Sequence, residues 1–192
     1  MIRLKLTRIS LYRILINCLK RHRMNIITDL NYISKMGTKR DNENWEFRTY
    51  LKILDMPSRD IDLIVHRINE EVTSRIDCTE CANCCKEIYM SMDEPDIADF
   101  ADGLNISAEQ LVARYLVKNE QDSSKMKIAD LPCPFLKNNL CINYNHRPKE
   151  CRSYPHLHKN DFIFRLIGII SNYGRCPIVF NVYEQLKKEL WH

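Results

Sequence analysis

The chain has 192 residues, of which 45% are hydrophobic and 28% are charged, a composition typical of an ordinary globular domain. Its four glycines lie too far apart for a Gly-rich phosphate-binding loop, which excludes P-loop NTPases and Rossmann dinucleotide enzymes. The motifs G-x-S-x-G and H-E-x-x-H are also absent, so the commonest hydrolase signatures are missing.

Positive charge is concentrated in a predicted N-terminal arm, residues 1–41. Its first 40 residues contain ten Lys or Arg and one acidic residue, whereas the rest of the chain contains 19 basic and 24 acidic residues. We expect the arm to be partly helical or disordered, because apolar residues recur at helical spacing from Ile9 to Leu19. A basic arm of this kind can contact anionic surfaces. We expect no transmembrane segment, because Arg13 interrupts an apolar stretch shorter than the ~20 residues of a span.

Residues 42–192 are predicted to form a single small α+β domain, mainly helical, with irregular cysteine-rich metal-binding loops. Apolar residues at helical spacing predict a helix over 59–75, capped by Ser58. A short strand is predicted over 86–92. Two further helices are predicted over 93–102 and 108–118.

Capping and turn residues define the remaining elements. The pattern Ser107-Ala-Glu-Gln is typical of a capping box at the start of the helix over 108–118. The dipeptide Asn138-Asn139 predicts a tight hairpin, because Asn tolerates positive φ. The apolar segment 162–170 fits a strand or a buried helix. Pro177 is suited to the first position of a last helix.

Cysteine is the most informative residue type in the chain, which contains nine. The run C-x-x-C-x-x-C-C at residues 78–85 repeats a spacing that brings two thiolates onto one metal ion. Four more cysteines follow between residues 133 and 176. The eight predicted metal ligands are Cys78, Cys81, Cys84, Cys85, Cys133, Cys141, Cys151 and Cys176.

Three kinds of cysteine chemistry compete for these residues. Disulfides are the least favoured, because the number of cysteines is odd and no export signal is evident. Eight thiolates divide naturally into two four-cysteine zinc sites. The C-x₂-C-x₂-C spacing and the Cys-Pro dipeptides at 133 and 176 are instead typical of ferredoxin ligands. An iron–sulfur cluster is therefore slightly favoured over zinc.

The cysteine motifs also resemble a known family. Besides the run at 78–85, the motifs Pro-Cys-Pro-Phe-Leu at 132–136 and Arg-Pro-Lys-Glu-Cys-Arg-Ser-Tyr-Pro at 147–155 are similar to those of the zinc- or iron-chelating cysteine-cluster family, YkgJ-type. The resemblance covers roughly residues 75–180 and implies metal binding by all eight cysteines. The family includes flagellin lysine N-methylase, so the resemblance also implies S-adenosylmethionine as an alternative cofactor. No Rossmann-type motif in the chain supports that cofactor.

Two arginines flank one of the predicted ligands. Arg147 and Arg152 lie on either side of Cys151 in the sequence. Four thiolates around zinc or an iron–sulfur core leave net negative charge, which nearby guanidinium groups would offset while donating hydrogen bonds to sulfur. An arginine pair on the surface of a short helix is the equally weighted alternative.

The sequence thus predicts a metal-binding cysteine-cluster protein with one or two thiolate-ligated centres and no assigned activity. Two alternatives stay open: an enzyme that uses the cluster for protein-lysine N-methyl transfer or redox chemistry, and a structural zinc module for protein interaction. A protein partner or protein substrate suits either alternative, and nucleic acid is not expected for the acidic domain. We expect a cytoplasmic location, because thiolate sites need reduced thiols.

Overall fold

The computed structural model describes residues 24–191. Helices dominate and the strands are few and short, so the mainly helical α+β class is confirmed. These residues divide into two compact units: the helical unit, residues 24–76 and 157–191, and the cysteine unit, residues 77–156. The apolar stretch Ile9–Leu19 predicted for the arm lies outside the described residues. Within 24–191, no helix combines the length and apolar character that a membrane span requires.

Residues 24–191 form ten helices, five short strands and two 3₁₀ turns. The helices are α1 (Leu30–Lys39), α2 (Asp41–Ile53), α3 (Ser58–Thr73), α4 (Cys78–Cys81), α5 (Asn83–Glu87), α6 (Glu94–Gly103), α7 (Ala108–Tyr115), α8 (Lys149–Ser153), α9 (Leu166–Tyr173) and α10 (Pro177–Leu190). The strands are β1 (Ser91–Met92), β2 (Leu116–Lys118), β3 (Met126–Ile128), β4 (Leu136–Lys137) and β5 (Leu140–Cys141). Two 3₁₀ turns, Tyr144–His146 and Phe162–Arg165, precede α8 and α9.

The helical unit is centred on the packing of α3 against α10. The stripe predicted for α3 is buried, and Ile61, Val65 and Ile68 have no exposed surface. The predicted helix over 59–75 is therefore confirmed, with a difference at its start. Ser58 is the first helical residue rather than the cap, and the preceding residue is Pro57, whose fixed φ suits the entry to a helix.

The described part of the predicted arm contains a regular helix. Asp29 caps α1 by accepting hydrogen bonds from the amides of Asn31 and Tyr32, and Ile33 on this helix is fully buried. Just before α1, the buried amide of Asn181 binds both the N–H and the carbonyl of Ile27. Residues 27–33 are therefore part of the folded helical unit.

The ambiguous segment 162–170 is helical. Its first residues form a 3₁₀ turn. The buried carboxylate of Asp62 holds the start of this turn by accepting hydrogen bonds from the N–H groups of Asp161 and Phe162, at 2.8 and 2.9 Å. Helix α9 then continues the chain to Tyr173. Pro177 opens α10 at its first position, as predicted.

The cysteine unit contains a small antiparallel sheet with the strand order β1-β3-β2. Lys127 at the centre of β3 pairs with Ser91 on one side and with Val117 on the other. The strand predicted over 86–92 is reduced to Ser91–Met92, because α5 continues as a helix through Glu87. A hydrogen bond from the N–H of Ile128 to the carbonyl of Met90 extends this pairing by one residue.

Helices α6 and α7 cover the sheet and supply most of the core of the cysteine unit. Asp93 caps α6, and the capping box of Ser107 and Gln110 opens α7 as predicted. The last residue of α6 is Gly103, and the packing around it leaves no room for a side chain. A Cβ at this position would lie 2.3 Å from Oδ1 of Asn143 and 2.5 Å from the His146 ring. The missing side chain thus lets the following segment pack against α6.

The candidate metal centre

The first four cysteines of the cysteine unit lie on two very short helices. Asp77 caps α4 by accepting a hydrogen bond from the N–H of Thr79 at 2.8 Å. Ala82, between α4 and α5, has a left-handed backbone conformation with φ of 49°, which is unusual for a residue with a Cβ. This residue changes the direction of the chain within the C-x-x-C-x-x-C-C run.

The next two cysteines are held by the predicted hairpin. Asn138 and Asn139 both have positive φ, 51° and 62°, as a two-residue type I′ turn requires. Leu136 then pairs with Cys141 across the two strands. The hairpin is attached to the short helices by a 2.7 Å hydrogen bond from the N–H of Cys133 to the carbonyl of Cys85.

Five cysteines line one cavity of about 80 Å³ within the cysteine unit. They come from three separate stretches of the sequence: α5, the hairpin and α8. They are Cys84, Cys85, Cys133, Cys141 and Cys151. Apolar side chains such as Phe100, Ile128 and Phe135 form much of the remaining wall, and Arg147 is the single charged residue in it.

The other three predicted ligands lie elsewhere. Cys78 is exposed and Cys81 is partly buried, and both lie on α4 outside the lining of the cavity. Cys176 is buried in the helical unit, where it precedes the first residue of α10. Across residues 24–191, no three His, Cys, Asp or Glu side chains are arranged closely enough to hold a metal ion as they stand.

Burial keeps most of the cavity thiols neutral. Desolvation, together with the neighbouring thiols of Cys85, Cys133 and Cys141, raises the pKa of Cys151 to about 12. Desolvation likewise raises the pKa of Cys133 to about 11. Cys85 is the exception. A hydrogen bond from Cys84, together with the charges of Arg147 and Lys86, outweighs desolvation and lowers its pKa to about 7.

Backbone N–H groups point at two of the sulfur atoms. The N–H of Phe135 donates to the sulfur of Cys133, and the N–H of Asn143 donates to the sulfur of Cys141. Both contacts lower the pKa of the thiol and thus oppose its desolvation. Each joins a cysteine to the residue two positions later.

The two predicted arginines differ in position. Arg147 lines the cavity, where its guanidinium lies 3.4 Å from the centre of the Tyr144 ring and its Nε donates to the Tyr144 carbonyl. Its charge lowers the pKa values of Cys85, Cys141 and Cys151. Arg152 instead lies 4.0 Å from the Asp99 carboxylate, outside the cavity lining.

His156, which directly follows the motif at 147–155, has a polar partner at each ring nitrogen. One ring nitrogen of His156 lies 2.7 Å from the Ser153 hydroxyl, and the other lies 3.2 Å from the Glu150 carboxylate. His158 belongs to the helical unit.

The cavity lining also includes two residues that the sequence did not predict for the site. Met90 and Met92 line the same cavity as the thiols, and both are buried, with 8% and 2% of their surface exposed. The signal was their i, i+2 spacing, which places them on one face of a strand. The spacing became informative only once β1 was located.

Comparison with known proteins supports the interpretation of the cysteine motifs as metal-binding. Residues 77–166 match the family model CxxCxxCC, described as "Putative zinc- or iron-chelating domain". The family resemblance is confirmed over this segment. The match contains seven of the eight predicted ligands and ends before Cys176. It supports metal binding by the CxxCxxCC segment and does not distinguish zinc from iron. No curated protein and no solved structure matches the chain.

Proposed function

We propose that the CxxCxxCC segment binds a metal centre through the thiolates that line its cavity, and that this centre is an iron–sulfur cluster in preference to zinc. The observation that carries the proposal is the convergence of five cysteines from three stretches of sequence on one cavity. Hydrophobic packing alone gives no reason to gather thiols, because apolar side chains fill a core equally well.

The donor set fits a soft metal. Apart from the phenol of Tyr154, sulfur is the only donor type among the described residues of the cavity wall, where carboxylate and imidazole groups are absent. Thiolate sites favour zinc, Cu(I) and iron–sulfur clusters, whereas magnesium and calcium require oxygen ligands. The raised pKa values of Cys133 and Cys151 mean that an incoming metal displaces protons from these thiols.

The size of the cavity favours a cluster over a single ion. A volume of about 80 Å³ exceeds the roughly 10–15 Å³ that one water-sized occupant requires on the same measure. The C-x₂-C-x₂-C spacing of residues 78–84 points the same way. A bound iron–sulfur cluster would supply electron transfer, whereas bound zinc would supply structural order.

Arg147 and the backbone N–H groups are suited to a negatively charged centre. A cluster with four thiolate ligands carries net negative charge, and the Arg147 guanidinium is fixed beside the thiols by Tyr144. The N–H groups of Phe135 and Asn143 already donate to two ligand sulfurs. Such hydrogen bonds and charges set the reduction potential of a cluster.

The proposal also includes the outer cysteines, which are the three predicted ligands outside the cavity lining. Cys78 and Cys81 remain proposed ligands, either of the same centre or of a second one, and Cys176 remains a proposed ligand on the sequence pattern alone. A reducing, cytoplasmic compartment is proposed with the centre, because oxidation would remove the thiolates that bind it.

Single Cys→Ser variants test which residues hold the centre. After anaerobic reconstitution with iron and sulfide, we expect Cys85→Ser, Cys133→Ser and Cys151→Ser each to lower the iron content several-fold. The matched control is Cys18→Ser, which changes the ninth cysteine and should retain iron. Wild-type iron content in all three cavity variants would contradict the proposal. Cys78→Ser and Cys176→Ser then report whether the outer cysteines take part.

A further inference from the structure

The cavity contains two soft donors that the proposed function does not use. Met90 and Met92 line it together with the five cysteines. The N–H of Ile128 binds the carbonyl of Met90, and Met92 pairs with Met126 on β3. Because alternate residues of a strand share a face, both side chains point to the buried side, while Tyr89 just before them is 50% exposed.

Thioether sulfur distinguishes between the metals that thiolates bind. Zinc takes Cys, His and carboxylate ligands, and iron–sulfur clusters are held by Cys or His. Cu(I) accepts thiolate and thioether sulfur alike. The two buried methionines therefore add thioether sulfur to the thiols of the cavity. Among the metals that thiolates bind, this addition favours Cu(I).

The charge of the cavity fits a monovalent ion as well. Two thiolates around Cu(I) leave a net charge of −1, which the Arg147 guanidinium in the same wall offsets. The remaining lining is largely apolar, so neutral thioethers can complete the coordination without adding further charge. Each thiol that binds the ion releases its proton to solvent.

We propose that this cavity, when it holds no iron or zinc, binds Cu(I) with the thioethers of Met90 and Met92 among the ligands. The inference rests on the proposed thiolate centre, because it uses the same cysteines. It adds a second metal that competes for the site, and it assigns a binding role to two residues outside the CxxCxxCC pattern.

Competition with the chelator bathocuproine disulfonate tests this proposal in anaerobic, reduced, metal-free protein. We expect the double variant Met90→Leu, Met92→Leu to bind Cu(I) at least tenfold more weakly than the wild type. Leucine conserves volume and hydrophobicity while removing the sulfur. Met126→Leu is the matched control, because Met126 lies in the same sheet but outside the cavity lining, and its Cu(I) affinity should equal that of the wild type.

A second measurement does not depend on the variants folding. In wild-type protein with ¹³C-methyl methionine, one equivalent of Cu(I) should shift the methyl resonances of Met90 and Met92 more than that of Met126. Unchanged Cu(I) affinity in the double variant, or unshifted Met90 and Met92 resonances, would overturn the proposal. If the wild type takes up neither iron–sulfide nor zinc while Cu(I) binding still depends on the methionines, the proposed function fails and this inference stands.

Discussion

At the scale of single residues, Arg147 is, among the described residues, the one charged side chain in the wall of the cavity that the thiols line. The Tyr144 ring and carbonyl fix its guanidinium, and its charge favours thiolate at three cavity cysteines. In the proposed metal centre, its role is to stabilise the negative charge of the thiolate ligands, as groups around metal ligands commonly do.

Replacing Arg147 should weaken metal retention without removing a ligand. We expect Arg147→Gln to lower metal affinity by about 10–100-fold, the usual effect of losing a group that supports the ligands. Arg152→Gln is the matched control, because Arg152 pairs with Asp99 outside the cavity lining. Metal release to a chelator measures both. Equal loss in the two variants would show that Arg147 has no special role.

Lys187 is the most deeply buried charge in the helical unit, with 2% of its side chain exposed. Its Nζ lies 2.6 Å from Glu43 and 3.0 Å from Glu184, and it is near the rings of Tyr173 and Tyr183. Lys187→Met removes one of several partners of the Glu184 carboxylate and should lower the free energy of unfolding by about 2 kcal/mol, the usual contribution of a hydrogen bond to a charged group. Lys188→Met, at the exposed next position, should change it little. Urea denaturation of both variants distinguishes the two effects.

At the scale of elements, the hairpin β4–β5 links local sequence to the site. Its turn places Cys133 and Cys141 on opposite arms, and the N–H of Ile142 binds the Phe135 carbonyl at 2.9 Å beyond the strand pairs. The turn was predictable because Asn138-Asn139 has a strong local preference for positive φ.

A β-branched residue in this turn should damage both fold and site. We expect Asn138→Val to destabilise the chain by about 1–2 kcal/mol, because the left-handed conformation brings its Cβ close to the backbone. It should also lower iron content after reconstitution. Asn138→Gly is the control, since glycine adopts this conformation freely. Thermal unfolding and metal analysis report the two effects, and equal behaviour of Val and Gly would contradict this account.

Elements with strong local signals were predictable from the sequence. The stripe of α3, the capping box of Ser107 and the proline that opens α10 all define their helices locally. Residues 86–92 were harder, because Lys86 and Glu87 extend α5 after the left-handed turn at Ala82. The left-handed conformation is unusual for alanine, and no pattern in the sequence predicts it.

At the scale of the whole molecule, stability should depend on pH through Glu184. Burial disfavours its charged form, but hydrogen bonds from Tyr173 and Lys187 and the charges of Lys187 and Arg40 outweigh burial and lower its pKa. A carboxylate with a lowered folded-state pKa stabilises the fold above its unfolded pKa of about 4.3, and this stabilisation is lost as pH falls through the folded value.

The free energy of unfolding should therefore fall as the pH is lowered below about 4. Glu184→Gln should be less stable than the wild type at neutral pH and should lose less stability on acidification. Glu189→Gln on the same helix controls for the general effect of removing a carboxylate. Parallel pH profiles for the wild type and Glu184→Gln would refute the assignment.

The site itself was only partly predictable, because it depends on contacts between distant residues. Spacing predicts the cysteines as ligands, but which of them share a cavity depends on contacts such as that between Cys133 and Cys85, 48 positions apart. Met90 and Met92 were missed because the strand predicted over 86–92 gives no indication that one of its faces adjoins the cysteines, which only the tertiary structure shows.

The proposed iron–sulfur centre, held by the cavity cysteines, is detectable in the purified full chain. The measurement is anaerobic purification followed by analysis of iron, zinc and acid-labile sulfide and by a visible absorption spectrum. We expect iron and sulfide in similar amounts and a broad charge-transfer band from bridging sulfide. Zinc without a visible band would contradict the iron–sulfur assignment, and a metal-free protein whose thiols react only after reduction would contradict the metal centre itself.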